Sequence, residues 1–513
     1  MTAMSATGRS RNLVLAGMIF AVAMTFIDQT IVSIAAPNIQ RELHLTDTGM
    51  QWAINAYLVA LAALFAFGGR LADTVGHRKM VVLGVVVFAG ASTLCGLTPA
   101  NSAAEAWIIV FRAVQGVGGA IMFPAALGIV VQTFPLRERG KALAMFFGIT
   151  GGLTAVGPLL GGYLTEWTWR AIFWVNVPVA VVALVLIFVA KPVTEYKPAP
   201  TDYRGLALIV AGVALSVIGF QQSATWGWGN AGTILCIVVG VLLLVTFAVV
   251  EQRTATPLMK VDIFRIRAFA MENLVLGIAM LAFVPLFFFA SEYAQVALGE
   301  SAQTTGLVLL YFFIGFVVTS QIGGRMLDRI GAKPPVVLGC AIAAVGFGLW
   351  AGKMTDLNLN HQVWTIIVAG AGMGFMLSPA STDAVNRASR LSYGEATGIT
   401  QTVRNYAASL GLAILGTILV NRMRSEVTGS LLAQGASPAK AAAGAKAATA
   451  GSGNGTTAHI PQFIRMDFAH ASQTVFYVMC GVMAVAAVVA LVGLKPGVQE
   501  DLATAAAAPA AGG

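Results

Sequence analysis

Runs of about twenty apolar residues recur fourteen times along this chain, and each is long enough to cross a bilayer as a helix. At 1.5 Å per residue, about 20 residues span the ~30 Å hydrocarbon layer. The runs are 12–36, 50–69, 80–98, 104–131, 142–164, 171–190, 204–223, 231–250, 269–291, 303–324, 335–352, 362–385, 396–420 and 470–494. A closed β-barrel also satisfies every backbone group in lipid, but its alternating ten-residue strands are missing from the sequence. Composition supports helices in lipid. Of 513 residues 57% are hydrophobic and only 10% charged, against about 25% charged in soluble domains. Too few polar side chains remain to cover a water-facing surface, which excludes a string of soluble domains. The first run is too long for the ~7–15-residue core of a cleaved leader and carries Asp28 inside it, so it is read as a spanning helix.

The formal net charge of +9 is spread in short basic clusters between the apolar runs. That distribution argues against nucleic acid as a partner and for membrane topology. Most Lys and Arg residues fall on the side that holds the N-terminus, so both termini are expected in the cytoplasm, of a bacterial cell by the Ala/Gly/Val-rich composition. The four cysteines each lie in an apolar run without CxxC spacing, which reads as core packing and not a disulfide or metal site. The expected organisation is an arm at 1–11, a six-helix bundle at 12–190, an inserted helix pair with its flanking loops at 191–268, and a second six-helix bundle at 269–494. A tail follows at 495–513. Within the second bundle, the Ala/Gly/Ser/Thr-rich 421–469 segment is expected as a long extracellular loop, disordered in part.

An internal repeat underlies that division. Residues 68–79 read GGRLADTVGHRK and residues 323–334 read GGRMLDRIGAKP. Gly68, Gly69, Arg70, Asp73 and Gly76 recur 255 residues later as Gly323, Gly324, Arg325, Asp328 and Gly331, each copy following the second helix of its half. Two parallel six-helix halves plus an inserted pair make an all-α polytopic membrane protein of a type common among secondary transporters.

Several motifs carry a resemblance. GRLADTVGHRK (69–79) resembles the loop signature of the major facilitator superfamily between its second and third helices. FRAVQGVGGA (111–120) is similar to its fourth-helix motif with a buried arginine, and GPLLGG (157–162) to its antiporter signature, with Leu153 where the family has glycine. FIDQTIVSIAAP (26–37) and WRAIFWVNVP (169–178) resemble motifs of the fourteen-span drug:proton antiporter branch. The resemblance covers nearly the whole chain. It implies proton-coupled export of lipophilic small molecules, such as multidrug or antibiotic efflux, across the cytoplasmic membrane. Dedicated export of an endogenous metabolite and proton-coupled uptake are the alternatives.

Candidate residues follow from the cost of charge in lipid, about 2.5–3.5 kcal/mol at a helix centre. Asp28 lies about eight residues before one end of the first run and Arg112 about eight residues into the fourth, so their depths match. With the first and fourth helices adjacent, as the resemblance implies, Asp28 is expected to bind the coupling proton and Arg112 to tune it; a static ion pair is the plainer alternative. A nearby guanidinium favours the carboxylate and burial favours the neutral acid. Gly69, Arg70, Asp73, Gly76 and Arg78 are expected to form a conformational latch. In it Gly69 and Gly76 allow close backbone approach, and Asp73 faces a helix N-terminus or a basic residue such as Arg78. Gly157, Pro158, Gly161 and Gly162 are expected to give a smooth, sealable surface between the halves. Glu292, Tyr311, Phe312, Phe316 and Arg404 are candidates for the substrate cavity. Glu292 is placed at a water-facing helix end.

No enzymatic constellation is legible. GVGG (116–119) and GAGMG (370–374) lie inside spanning runs, and Lys141 and Lys353 follow glycine without the Ser or Thr of a phosphate loop. No ATP, cofactor or metal is expected. The expected partners are a lipophilic small molecule, protons and the bilayer, with an ion gradient as the energy source.

Overall fold

Helices dominate because hydrocarbon offers no hydrogen-bond partner to a backbone amide. The structure, a computed structural model, describes residues 8–192, 200–386, 393–449 and 461–497. Sixteen α-helices lie in those residues: α1 (Gly8–Leu43), α2 (Asp47–Val75), α3 (His77–Gly96), α4 (Ala104–Thr133), α5 (Leu136–Trp167), α6 (Ala171–Trp174), α7 (Asn176–Ala190), α8 (Tyr203–Trp226), α9 (Ala231–Arg253), α10 (Arg267–Glu292), α11 (Ala302–Ile330), α12 (Lys333–Met354), α13 (Val363–Asn386), α14 (Tyr393–Ala433), α15 (Pro438–Thr449) and α16 (Gln462–Gly493). Among the described residues they make 14 spans long and apolar enough to cross a membrane. Helices α6 and α7 share one span, and α15 is too short to be one. Six spans, α1 to α7, form the first half, α8 and α9 are inserted, and α10 to α14 with α16 form the second. The outer faces of α7, α9 and α16 expose large apolar side chains such as Val185, Leu235 and Val488, as a lipid-facing surface requires.

The repeat seen in the sequence is also a repeat of local structure. Thr46 caps α2 by accepting from the Gly49 amide at 2.9 Å, and Ser301 caps α11 by accepting from the Thr304 amide at 3.1 Å. Both helices end at a glycine with positive φ, Gly76 at 113° and Gly331 at 86°, which lets the chain reverse into α3 and α12. Where α4 crosses α2, Gly116 lies against the Tyr57 carbonyl; where α13 crosses α11, Gly370 lies against the Phe312 carbonyl. Either glycine is a point of backbone contact that no Cβ can enter.

Several boundaries differ from the sequence expectation. The sixth run is broken between α6 and α7, just before Pro178, which has no amide to donate back along the helix. Helix α10 continues as one π-helical turn over Tyr293–Ala297, so Glu292 lies within a helix and is 6% exposed, not at a water-facing end. Within 421–469, expected as a long loop, the described residues are largely helical: α14 runs on to Ala433, α15 occupies Pro438–Thr449, and α16 already begins at Gln462. Alanine is the strongest helix former, and Ala441, Ala445 and Thr449 at i, i+4 spacing bury one stripe of α15. Residues 450–460, the arm up to residue 7 and the tail beyond 497 lie outside the described residues.

The inserted pair is anchored by α8. The Asn55 amide of α2 donates to Gln221 Oε1 of α8 at 2.6 Å and to the Ser409 carbonyl of α14 at 3.2 Å. Ser216 and Tyr406 meet by their hydroxyls at 2.9 Å. Helix α8 thus wedges against both halves where α2 meets α14, while α9 lies outside it. Substituting Gly370→Leu is expected to destabilise the fold by about 2 kcal/mol or more through overpacking. Gly148→Leu, in open space on α5, should shift stability by no more than about 0.5 kcal/mol. Thermal unfolding in detergent compares them.

Candidate functional site: a buried ion pair beside a central cavity

Asp28 projects from the middle of α1 and Arg112 from the first third of α4, and the structure brings them together. Arg112 Nη1 donates to Asp28 Oδ2 at 2.5 Å, with the two side chains 1% and 0% exposed. Gln115, one turn along α4, closes the group: its amide donates to Asp28 Oδ1 at 2.8 Å while its carbonyl oxygen accepts from Arg112 Nη1 at 2.7 Å. Arg112 Nε donates to the Ala53 carbonyl of α2 at 3.1 Å, and the guanidinium carbon lies 4.6 Å from the Tyr57 ring centroid. Both carboxylate oxygens are engaged, and three helices are tied through one charge pair. A buried pair of this kind stands only because its remaining donors and acceptors are also satisfied.

One residue along α1 the environment changes. Thr25, Phe26 and Gln29 of α1, with Leu61 and Phe65 of α2 and Phe123 of α4, form one wall of a cavity between the halves. Met280, Phe283 and Val284 of α10 and Gln401, Arg404 and Asn405 of α14 form the other. The cavity measures about 30 Å³, so the halves are closed around it in this conformation. A wider cleft of about 480 Å³ opens where α1 and α5 end, rimmed by Arg41, Glu42, Glu166 and Glu300.

The sequence profile of the Major Facilitator Superfamily matches residues 18–412. The chain belongs to the major facilitator superfamily. Among its relatives, the tetracenomycin C resistance and export protein of Streptomyces glaucescens is 32% identical over 78% of this chain and 74% of its own length. The puromycin resistance protein pur8 of Streptomyces alboniger is 34% identical over 77% of this chain and 79% of its own. The cephamycin export protein CmcT of Amycolatopsis lactamdurans is 31% identical, covering 81% and 87%. The inward-facing bacterial homologue of the lysosomal transporter Spinster shares the fold, with a TM-score of 0.63 and 17% identity over 95% of this chain and 98% of that one. This is a superfamily of transporters, not of enzymes.

Within this major facilitator fold the other predicted residues distribute unevenly. In the last turns of α2 the close approach belongs to Gly68, whose absent side chain makes room for the Ala120 carbonyl of α4, while Gly69 has only an ordinary contact with Pro124. Gly323 plays the same part against the Phe375 carbonyl in the second half. Asp73 meets His77 at 3.3 Å rather than Arg78, because α3 starts at His77 and points that ring inward beneath Gly128. Arg78 turns to the Phe188 ring of α7, and Arg70 donates to the Pro200 carbonyl at 3.3 Å.

The glycine signature on α5 splits between two neighbours. Gly157 and Gly161 admit α1, against the Ile27 and Ile31 carbonyls, and only Gly162 faces the other half, against Ala302 and Gln303 of α11. Gly306 of α11 answers it by packing on the Pro158 carbonyl. This stretch is backbone-on-backbone contact across the halves.

Of the five residues expected in the substrate cavity, Arg404 alone lines it. Phe312 is fully buried in an aromatic cluster with Phe283, Phe287, Phe313 and Phe316, where Phe287 and Phe313 stack at 5.3 Å. Phe316, a member of that cluster, and Tyr311 are part-buried against the main core. Glu292 is buried a turn from Gln295, whose amide donates across the halves to the Ile34 carbonyl at 2.8 Å. Sequence reasoning missed Gln115, although its i+3 spacing from Arg112 was a usable signal. It also missed Gln29, Gln401 and Asn405, which nothing in a single helix distinguishes from packing. Substituting Asp28→Asn is expected to cost about 3–5 kcal/mol by leaving Arg112 uncompensated, and adding Arg112→Gln to restore part of it. Chemical unfolding of the single and double variants in micelles measures the difference.

Proposed function

We propose that this protein is a proton-coupled antiporter that exports lipophilic small molecules, antibiotics among them, across a bacterial cytoplasmic membrane. The observation that carries this reading is the Asp28–Arg112–Gln115 group standing dry beside a cavity built by both halves. Its only titratable carboxyl is one residue away from Gln29, which faces that cavity.

The chemistry runs through α1. A carboxylate that loses its guanidinium in a dry site takes up a proton, and one that regains it gives the proton up. Protonation of Asp28 weakens its hold on Arg112, which keeps the Ala53 carbonyl and the Tyr57 face. Helix α1 is then freer to move against α2 and α4. Phe26 and Gln29 move with it, so the proton state of one side chain alters the walls of the cavity. Cargo and proton thus compete through the position of one helix. Each charge moved down the membrane potential contributes ~2.3 kcal/mol per 100 mV.

The remaining parts take supporting roles. The glycine contacts of Gly162 and Gly306 seal one end of the cavity against a proton leak. The Asp73–His77 pair and the Gly76 reversal latch the other end, on the side of both termini, which we assign to the cytoplasm from the distribution of Lys and Arg. The relatives named for export of one compound each, tetracenomycin C and cephamycin, favour a second form of the same reading, an exporter dedicated to a single metabolite.

In proteoliposomes with an imposed pH gradient, Asp28→Asn is expected to abolish gradient-driven dye transport, a loss of about 100-fold or more. Exchange of dye for dye without a gradient should persist. Gradient-driven transport at the wild-type rate in Asp28→Asn would remove Asp28 from coupling.

A further inference from the structure

The cavity between the halves carries a net charge that the ion pair beside it does not cancel. Arg404, Gln401 and Asn405 form one face of α14 at i, i+3 and i+4 spacing, and all three reach the cavity. Among the described residues, Arg404 makes no ion pair and no hydrogen bond, and it is part-buried. The amides of Gln29, Gln401 and Asn405 are likewise unengaged by described residues. Among the described residues no carboxylate lines the cavity. Asp28, the nearest in sequence to its wall, has both oxygens taken by Arg112 and Gln115, and Glu272, Glu292 and Asp383 are not among the lining residues.

We propose that the cavity selects cargo with an anionic group (a carboxylate, phenolate or enolate) on a planar lipophilic skeleton, with Arg404 as its counter-ion. This rests on the reading of the chain as an exporter and names the chemical class it carries. A guanidinium without a partner in a low-dielectric site attracts an anion strongly, and its planar fork matches an oxygen pair. The three amides supply further donors and acceptors around that group. Phe26, Phe65, Phe123 and Phe283 supply ring faces from both halves, with the Phe65 and Phe123 centroids 5.3 Å apart. Aromatic walls alone would also accept an organic cation, so Arg404 decides the sign.

The test uses the full chain in proteoliposomes under a pH gradient and three fluorescent xanthene dyes of one size: a free carboxylate, its methyl ester and a cationic amino-xanthene. Wild type is expected to move the carboxylate about tenfold faster than the cation. In Arg404→Gln the ratio of carboxylate to ester transport should fall about tenfold, and Arg404→Lys should retain most of that ratio. An unchanged ratio in Arg404→Gln, or a wild-type preference for the cation, overturns the inference while leaving gradient-driven antiport in place. Failure of all three dyes to respond to the gradient in wild type overturns the antiport reading and the inference with it.

Discussion

A polar group in hydrocarbon must find its partner inside the protein, and every level of this structure answers to that constraint. At the level of the backbone it enforces helices and leaves the apolar faces of α7, α9 and α16 to lipid. At the level of packing it makes glycine contacts valuable, since dispersion between close backbones replaces the hydrophobic drive that lipid removes. At the level of side chains it ties Asp28, Arg112 and Gln115 into one closed group with no free oxygen on the carboxylate. The same constraint makes Arg404 conspicuous, because among the described residues its guanidinium has no such closure.

The two halves share a backbone and differ in what they place at its central crossing. Where α4 crosses α2, the glycine contact at Tyr57 is followed inward by Arg112 and Gln115. At the corresponding crossing of α13 and α11, the positions in register are Phe312, Ile366 and Ala369. One crossing is electrostatic and the other aromatic, with Phe283 of α10 6.2 Å from Phe312. At this pair of equivalent crossings the titratable side chains belong to the first half. At that crossing the second half contributes apolar bulk, while its α14 brings Gln401, Asn405 and Arg404 to the cavity, the last a charge that no described residue compensates. On the proposed reading, proton and cargo are therefore read by different halves and meet at the cavity wall of α1.

The inserted pair fits the same logic. Helix α8 fills the groove where α2 meets α14 and satisfies Asn55 through Gln221. It is held by polar contacts at its middle and C-terminal end, whereas α9 has little beyond α8 and lipid to pack on. The pair thus adds a flank to the seam between the halves without entering the cavity.

Much of this was legible in the sequence, for reasons that are local. Apolar run length determined the fourteen spans, because the bilayer sets one thickness for all of them. The 255-residue repeat determined the two halves, since Thr46 and Ser301, and Gly76 and Gly331, are start and stop signals that act within a few residues. Matching depth paired Asp28 with Arg112 only together with the adjacency of the first and fourth helices that the resemblance implied. The helices over 421–433 and 438–449, inside the segment 421–469 expected as a partly disordered loop, were not legible, because low complexity obscured the helix propensity of alanine and the stripe formed by Ala441 and Ala445. Tertiary structure alone decided which glycine of each pair touches a backbone, Gly68 and not Gly69. It alone turned Asp73 to His77, and it alone left Phe312 in a core and Arg404 in a cavity. Those choices depend on how helices distant in the chain rotate against one another, and periodicity within one helix holds no record of that angle.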